Sequence, residues 1–340
     1  MLLYIQGSDN MSGFGTVLKE YLEFYKISQV DFAQRLGITQ KHMNEILNEV
    51  TEISIDLMIA ISLLTEIEPN YIMQVETKKR MYNYLKNKFK DEQEINNYLE
   101  TFKLKEIYKL GWITLEDKTS YVTNAINLLE YINLRTFDQF EDYFNNKIIS
   151  QEEIKDKTGA FVWIKRCDKL AKRQEVKAYN SKNLPLLLKK LKKQENTIGG
   201  ITELLNNYGI YLVLEESLDK NIRACSQVKG INPAIYINKN IKDKAEFYYS
   251  LYYELSKVKS YFNKLKKSTI LSLKNETIEK QEQFALNEMV PNEIYKNIKE
   301  NIYNIDAICK KNNIVIEFAH FRLIKDKILK TDKQYQKIIE

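Results

Sequence analysis

The sequence predicts a mainly helical protein with a smaller α+β part. Only four prolines and ten glycines occur in 340 residues, and apolar residues recur at helical spacing over most of the chain. Two short runs rich in β-branched and aromatic residues appear beyond residue 200. Hydrophobic residues make up 44% of the chain, which excludes a mostly disordered protein. We therefore expect helices up to about residue 198 and a mixture of helices and strands after it.

Composition also limits the cellular location. No apolar run approaches 18 residues, and the start of the chain has neither a basic segment nor a long apolar one, so we expect no membrane span and no signal peptide. The cysteines Cys167, Cys225 and Cys309 are far apart and form no CxxC pair. This pattern indicates reduced thiols in a cytoplasmic protein and excludes a structural zinc knuckle.

The N-terminal region predicts five helices after a flexible lead-in over residues 1–15. Thr16 is the expected N-cap of the first helix, which runs to about Lys26 with its apolar and aromatic residues, from Val17 to Tyr25, on one face. The second helix follows Ser28, with Val30 expected to face inward, and ends at Gly37, where a left-handed residue is favoured. Further helices begin near Thr39, after Ser54 and at Pro69.

Two short helices joined by a glycine-containing turn are typical of a helix-turn-helix. The segments Ser28–Gln29, Phe32–Ile38, Asn44–Asn48 and Asn70–Gln74 carry a resemblance to the Xre family, and in particular to its HigA-type branch. The resemblance implies a helix-turn-helix domain over residues 16–76. It also implies binding to operator DNA as a homodimer.

In such a domain the second of the two helices enters the major groove, and its first residues reach the base edges. Base contacts are therefore predicted for Gln40, Lys41 and Asn44. Phosphate contacts are predicted near the helix N-termini, at Ser28, Gln29 and Thr39.

The charge of this region opposes DNA binding. Residues 1–75 hold four basic and ten acidic side chains, a net charge of −6, so the rest of the chain carries +12. Glu49 and Glu52 follow the predicted recognition helix, where related domains have Asn-Gly and basic residues, and we expect these carboxylates to lie near the DNA backbone. The alternative is a helix-turn-helix fold retained only for protein contacts.

Residues 77–198 form a predicted helical connector, interrupted at Gly111–Ile113 and at Thr158–Ala160. Its many aromatic residues recur at helical spacing. Stacking on nucleic acid is one interpretation of them, but packing in a core is favoured because large aromatic side chains are usually buried.

Residues 199–340 form the predicted α+β part. Strands are expected at Ile210–Leu214 and Ala234–Asn238, followed by a long helix from about Lys242 to Phe262. The chain has only two histidines, His42 and His320, so it cannot contain the HExxH motif of a zinc metallopeptidase.

The segments Ala234–Asn238, Tyr249–Lys257 and Lys280–Pro291 nevertheless resemble the ImmA/IrrE family of metallopeptidase-like domains. The resemblance implies that Tyr253, Lys257 and Lys280 occupy the three metal-ligand positions and that Glu254 occupies the general-base position. Protonated lysines repel a zinc ion, and a carboxylate without a metal is a poor hydrolytic catalyst. We therefore expect a degenerate site with no metal, no cofactor and no catalytic activity, in which Glu254 pairs with Lys257 or Lys280.

Together the two resemblances predict a transcriptional repressor of a mobile element or prophage-like operon. Its pseudo-peptidase domain would act as a sensor, and the expected inducer is a phage or host protein that binds the connector or the C-terminal domain. The alternative is a HigA-type antitoxin, which binds DNA and also neutralises a toxin. An active metallopeptidase is disfavoured by the missing ligands.

Overall fold

The computed structural model describes residues 11–115, 120–192, 197–241, 243–276 and 278–330. These residues form mostly α-helices together with one five-stranded mixed sheet, which confirms the prediction of a mainly α protein with a smaller α+β part. The chain divides into two compact units, residues 1–131 and 132–340. No described helix is both long enough and apolar enough to cross a membrane.

The described residues of the first unit form α-helices joined by turns and loops. Its helices are α1 (Phe14–Phe24), α2 (Gln29–Leu36), α3 (Gln40–Leu47), α4 (Ile55–Thr65), α5 (Pro69–Lys88), α6 (Glu92–Thr101), α7 (Leu104–Lys109) and α8 (Tyr121–Ile132). The first five enclose a core of apolar side chains in which Phe14, Phe32, Met43, Ile61 and Ile72 are fully buried.

Two expectations for this unit are wrong. The first helix begins at Phe14, after Gly13, and Thr16 is not its N-cap, because the fully buried Phe14 side chain anchors this turn in the core. The lead-in therefore ends at residue 13, and residues 1–10 lie outside the described residues. Val30 was expected to face inward but is 52% exposed, because it lies in the first turn of α2 at the edge of the core.

The second unit combines helices with the sheet. Its helices are α9 (Phe140–Lys147), α10 (Lys157–Ala171), α11 (Leu184–Leu191), α12 (Ile198–Asn207), α13 (Lys244–Leu265), α14 (Glu279–Met289), α15 (Asn292–Glu300), α16 (Ile305–Asn312) and α17 (Ile316–Lys325). Its strands are β1 (Ile148–Ile149), β2 (Tyr211–Glu215), β3 (Ile222–Lys229), β4 (Asn232–Asn238) and β5 (Thr269–Leu273).

The sheet has the order β1-β5-β3-β4-β2, with parallel pairs at both edges and antiparallel pairs in the middle. Successive residues of β3 point to opposite faces, as strand geometry requires. The Ser226 hydroxyl meets Glu254 of α13, whereas the Gln227 amide donates to Asp168 of α10 at 2.7 Å. A helix therefore covers each face of the sheet.

The predicted strands at Ile210–Leu214 and Ala234–Asn238 correspond to β2 and β4, and the predicted long helix corresponds to α13. The interruption expected at Thr158–Ala160 is wrong. These residues form the first turn of α10, where the Asp156 carboxylate accepts a hydrogen bond from the Gly159 N–H at 2.9 Å.

The boundary between the two units falls inside the segment 77–198 that the sequence analysis treats as one connector. The later part of this segment packs with the sheet. In α10, the Trp163 indole donates to the Glu215 carbonyl at 3.0 Å, and Arg166 pairs with the Glu215 carboxylate at 2.9 Å. Helix α10 thus belongs structurally to the α+β unit.

Candidate functional site

The turn between α2 and α3 is a tight one closed by backbone hydrogen bonds. Gly37 adopts a left-handed conformation with φ of 69°, and the N–H groups of Gly37 and Ile38 donate to carbonyls in the last turn of α2. Helix α3 then begins after Thr39, whose hydroxyl oxygen accepts a hydrogen bond from the His42 N–H at 3.2 Å. This geometry fixes where the first residues of α3 lie.

All six residues predicted to contact DNA are exposed. Helix α3 buries Met43, Ile46 and Leu47, so its opposite face presents Gln40, Lys41 and Asn44 to the surface. Ser28 and Gln29 lie exposed at the start of α2, where the Ser28 side chain makes no capping hydrogen bond. Thr39 is exposed at the start of α3. The structure thus brings the polar side chains to the N-termini of two adjacent helices.

Two of these side chains interact within α3. The side-chain oxygen of Asn44 accepts a hydrogen bond from the Asn48 amide at 2.9 Å. Lys41 lies 3.9 Å from Glu45, and its side chain is 88% exposed, so this pair holds it weakly. The His42 ring lies 3.6 Å from the same carboxylate.

The Glu49 side chain forms hydrogen bonds and an ion pair within the first unit. Glu49 lies just after α3 with φ of 57°, a left-handed conformation that costs a non-glycine residue about 1 kcal/mol. One carboxylate oxygen accepts hydrogen bonds from the Gly13 N–H at 2.6 Å and the Thr16 hydroxyl at 2.7 Å. The other lies 2.9 Å from the Lys79 ammonium of α5. The side chain therefore joins the start of α1 to α5.

These contacts change the interpretation of the acidic turn. Burial raises the pKa of the Glu49 carboxyl, but the hydrogen bonds from Lys79 and Thr16 outweigh that effect, and the pKa lies below its ordinary value. Glu52 also has a partner, the Arg80 guanidinium at 3.3 Å. Glu49 is thus not an unpaired surface charge, because the Lys79 ammonium pairs with it; that it lies near the DNA backbone stays a prediction.

In the second unit, Glu254 and Lys257 form a fully buried ion pair on α13. The Lys257 ammonium lies 3.3 Å from the Glu254 carboxylate, and both side chains are 0% exposed. The Ser226 hydroxyl of β3 donates to Glu254 at 2.5 Å. The Ser272 hydroxyl of β5 accepts from Lys257 and donates to Glu254. The buried charges are thus both paired and hydrogen-bonded, which is the condition for their stability in a low-dielectric interior.

The Tyr253 side chain also makes structural contacts. Its hydroxyl oxygen accepts a hydrogen bond from the Ile278 N–H at 3.0 Å, and burial raises the pKa of the phenol to about 12. The Arg223 guanidinium carbon lies 4.3 Å from the ring centre, and the Lys257 ammonium lies 5.3 Å from it. Two cations therefore flank the phenol, which stays protonated at neutral pH.

Lys280 does not join this cluster. Its side chain is exposed, whereas the next residue, Gln281, is 0% exposed on the inner face of α14. Glu254 consequently pairs with Lys257, and the alternative partner Lys280 is wrong because it lies on the outer face of its helix.

The donor set around Glu254 does not fit a zinc ion. A protonated phenol and an ammonium group stand at the two α13 positions that the sequence resemblance assigns to metal ligands, and the ammonium already neutralises the single carboxylate. Among the described residues, no three His, Cys, Asp or Glu side chains are grouped so that they could hold a metal ion.

Sequence reasoning missed three residues of this cluster. Ser226 and Ser272 lie in strands that were not predicted, and Arg223 lies beside a bulge in β3. No alternation of polar and apolar residues marks these two strands in the sequence, because they are buried on both faces.

Comparisons of this chain with protein-family models, with curated proteins and with solved structures find no match.

Proposed function

We propose that the chain is a sequence-specific DNA-binding repressor of a mobile element or prophage-like operon. The observation that carries this proposal is the exposed cluster of Ser28, Gln29, Thr39, Gln40, Lys41 and Asn44 around the N-termini of α2 and α3. In a helix-turn-helix these positions face the major groove and the flanking phosphates. Helix α3 would be the recognition helix, and a homodimer would read two half-sites.

The internal pairing of Glu49 supports this function. An unpaired carboxylate beside the recognition helix would repel DNA phosphates, but Lys79 holds Glu49 at 2.9 Å. Lys41 remains mostly exposed on the same face as Asn44. The net charge of residues 1–75 therefore overstates the negative charge that DNA would meet.

The test is a mobility-shift assay of the purified chain on the intergenic DNA that flanks its own gene, with unrelated duplex as competitor. Lys41→Ala and Asn44→Ala should each weaken binding to the specific fragment by about 1–3 kcal/mol, because each removes a base contact.

The matched control is Lys19→Ala, which removes an exposed cation from α1. This change should alter binding to both DNAs slightly and equally. Unchanged specific binding after the combined replacement of Gln40, Lys41 and Asn44 would contradict the proposal.

For the second unit we propose a pseudo-peptidase domain that serves as a sensor. The completely buried Glu254–Lys257 pair supports an inactive centre, because a carboxylate with 0% exposure cannot meet a substrate. A fold that has lost its metal still offers a surface, and an inducing protein from phage or host would bind it or the adjoining connector. Such a ligand lowers DNA affinity only if it binds the DNA-free state more tightly.

Removal of the sensor should give a repressor that cannot be induced. The cut belongs after residue 133, because a cut near residue 199 would remove the strand that covers Trp163 and Arg166 of α10. In a reporter assay the truncated chain should repress without responding to the inducing signal. Full induction of the truncated chain would place the sensor in the first unit.

A further inference from the structure

Helix α4 is apolar on two opposite faces. Leu57, Met58 and Ile61 point into the core, and the helix contains a single charged residue, Asp56. On the outer face, Ile55, Ile59 and Leu63 are 64%, 50% and 80% exposed. A helix that is apolar all round is normally covered on all sides. The outer face of α4 is therefore of the kind that binds another protein.

The three exposed residues form one continuous stripe. Their spacing of four residues aligns them along one side of the helix. This is the arrangement of anchors that a second helix recognises when it packs along a first one. We call Ile55, Ile59 and Leu63 the outer stripe.

The charges around the outer stripe are acidic and favour a basic partner. No lysine or arginine occurs from residue 42 to residue 77. Asp56 lies at one end of the outer stripe, and Glu66 and Glu68 follow its other end. Within the described residues these three carboxylates form no ion pair, in contrast to Glu49 and Glu52, which pair with Lys79 and Arg80.

A second copy of this chain fits the outer stripe poorly. Two α4 helices packed antiparallel would bring the Asp56 end of one against the Glu66 and Glu68 end of the other. Like charges at a contact oppose association, whereas a helix with flanking lysines or arginines would neutralise all three carboxylates.

We propose that the outer stripe of α4 binds a basic amphipathic helix of another protein. Apolar side chains of that helix pack on Ile55, Ile59 and Leu63, and its basic side chains pair with Asp56, Glu66 and Glu68. This surface lies in the first unit, so it is distinct from the sensor proposed for the second.

The proposal is tested with the full chain and a fluorescent peptide of about 14 leucines and lysines, with the leucines along one helical face. Fluorescence anisotropy should show saturable binding. Ile59→Ser/Leu63→Ser should weaken it by about tenfold or more, because two of the three anchors are lost. Asp56→Asn/Glu66→Gln/Glu68→Gln should weaken it several-fold and reduce its dependence on salt.

Two controls separate this site from nonspecific attraction. Val50→Ser changes an aliphatic residue of the same unit that is 73% exposed but lies outside the outer stripe, and it should leave binding unchanged. A peptide of the same composition with its leucines spread around the helix should bind much more weakly. Thermal unfolding of each variant should match that of the wild type.

Two results would overturn the proposal. The first is equal peptide binding by the wild type and both sets of variants. The second is a homodimer, measured by light scattering, that dissociates on Ile59→Ser/Leu63→Ser while the peptide fails to bind. That outcome would identify a second copy of the chain as the occupant.

Discussion

Helices α3 and α13 use polar residues in opposite ways. In α3, Lys41 and Asn44 lie on an exposed face opposite a buried apolar one. In α13, Glu254 and Lys257 are fully buried between the sheet and the neighbouring helices and depend on each other and on two serines. Similar residue types thus form an exposed polar face in one unit and an internal structural pair in the other.

The two helices differ in whether a substitution affects ligand binding or folding stability. A polar residue on an exposed helix face can be replaced with little effect on folding, so its loss is measured in ligand binding. A buried charge cannot be replaced alone, because its partner is left without compensation. The predictions below test this difference in order of decreasing effect.

The largest effect is expected from Lys257→Met. The change leaves the Glu254 carboxylate buried without its cation, and breaking such a pair costs about 3–5 kcal/mol of unfolding free energy. Urea denaturation of the full chain, followed by circular dichroism, measures the loss in the second unit.

The matched control is the double variant Glu254→Gln/Lys257→Met, which removes both charges. It should recover most of the stability lost in the single variant, because an uncharged amide can still bond to Ser226 and Ser272. If the double variant is as unstable as the single one, shape rather than charge compensation holds this site together.

An intermediate effect is expected from Glu49→Ala in the first unit. The change removes hydrogen bonds to Gly13, Thr16 and Lys79, and hydrogen bonds to a charged group contribute about 1.5–3 kcal/mol. We expect a loss of about 2–3 kcal/mol in unfolding free energy. The backbone does not offset this loss, because alanine keeps the unfavourable positive φ. Thermal or urea unfolding measures it.

Glu49→Lys provides the sharper contrast with α3. As an unpaired surface charge, Glu49 would weaken DNA binding, and its replacement by lysine would strengthen it. The structure instead places the new cation beside Lys79, so the variant should unfold more readily and gain no DNA affinity. A stable Glu49→Lys protein with tighter DNA binding would restore the surface interpretation.

The sequence predicted the exposed face of α3 and the long helix α13, because both depend on the spacing of apolar residues along one element. It did not predict β3 and β5. Strands buried on both faces lack the alternation of polar and apolar residues that marks a half-exposed strand.

The role of Glu49 was beyond sequence reasoning for a different reason. Its partners, Thr16 and Lys79, are 33 and 30 residues away in the chain, and only the packing of α1 and α5 brings them together. The pairing of Glu254 with Lys257 was one of two alternatives that the sequence predicted, but its two serine partners required knowledge of the strand order.

The smallest effect is the pH dependence of the Glu49 contacts. Because the pKa of Glu49 is lower in the folded chain than its ordinary value of 4.5, the unfolded chain binds the proton more readily than the folded chain does, and the folded chain is stabilised while the group is ionised. The stabilisation is therefore complete above about pH 4.5 and disappears as the pH falls through the folded-state pKa. The difference in unfolding free energy between the wild type and Glu49→Gln should be constant near neutral pH and should shrink on acidification.

Introducing Lys79→Met into both proteins should reduce this pH-dependent part, because the hydrogen bond from Lys79 is the main cause that lowers the pKa of Glu49. A difference that stays constant from neutral pH down to pH 3 would show that Glu49 acts through its shape and hydrogen bonds alone. The charge of Glu49 would then contribute nothing to the stability of this turn.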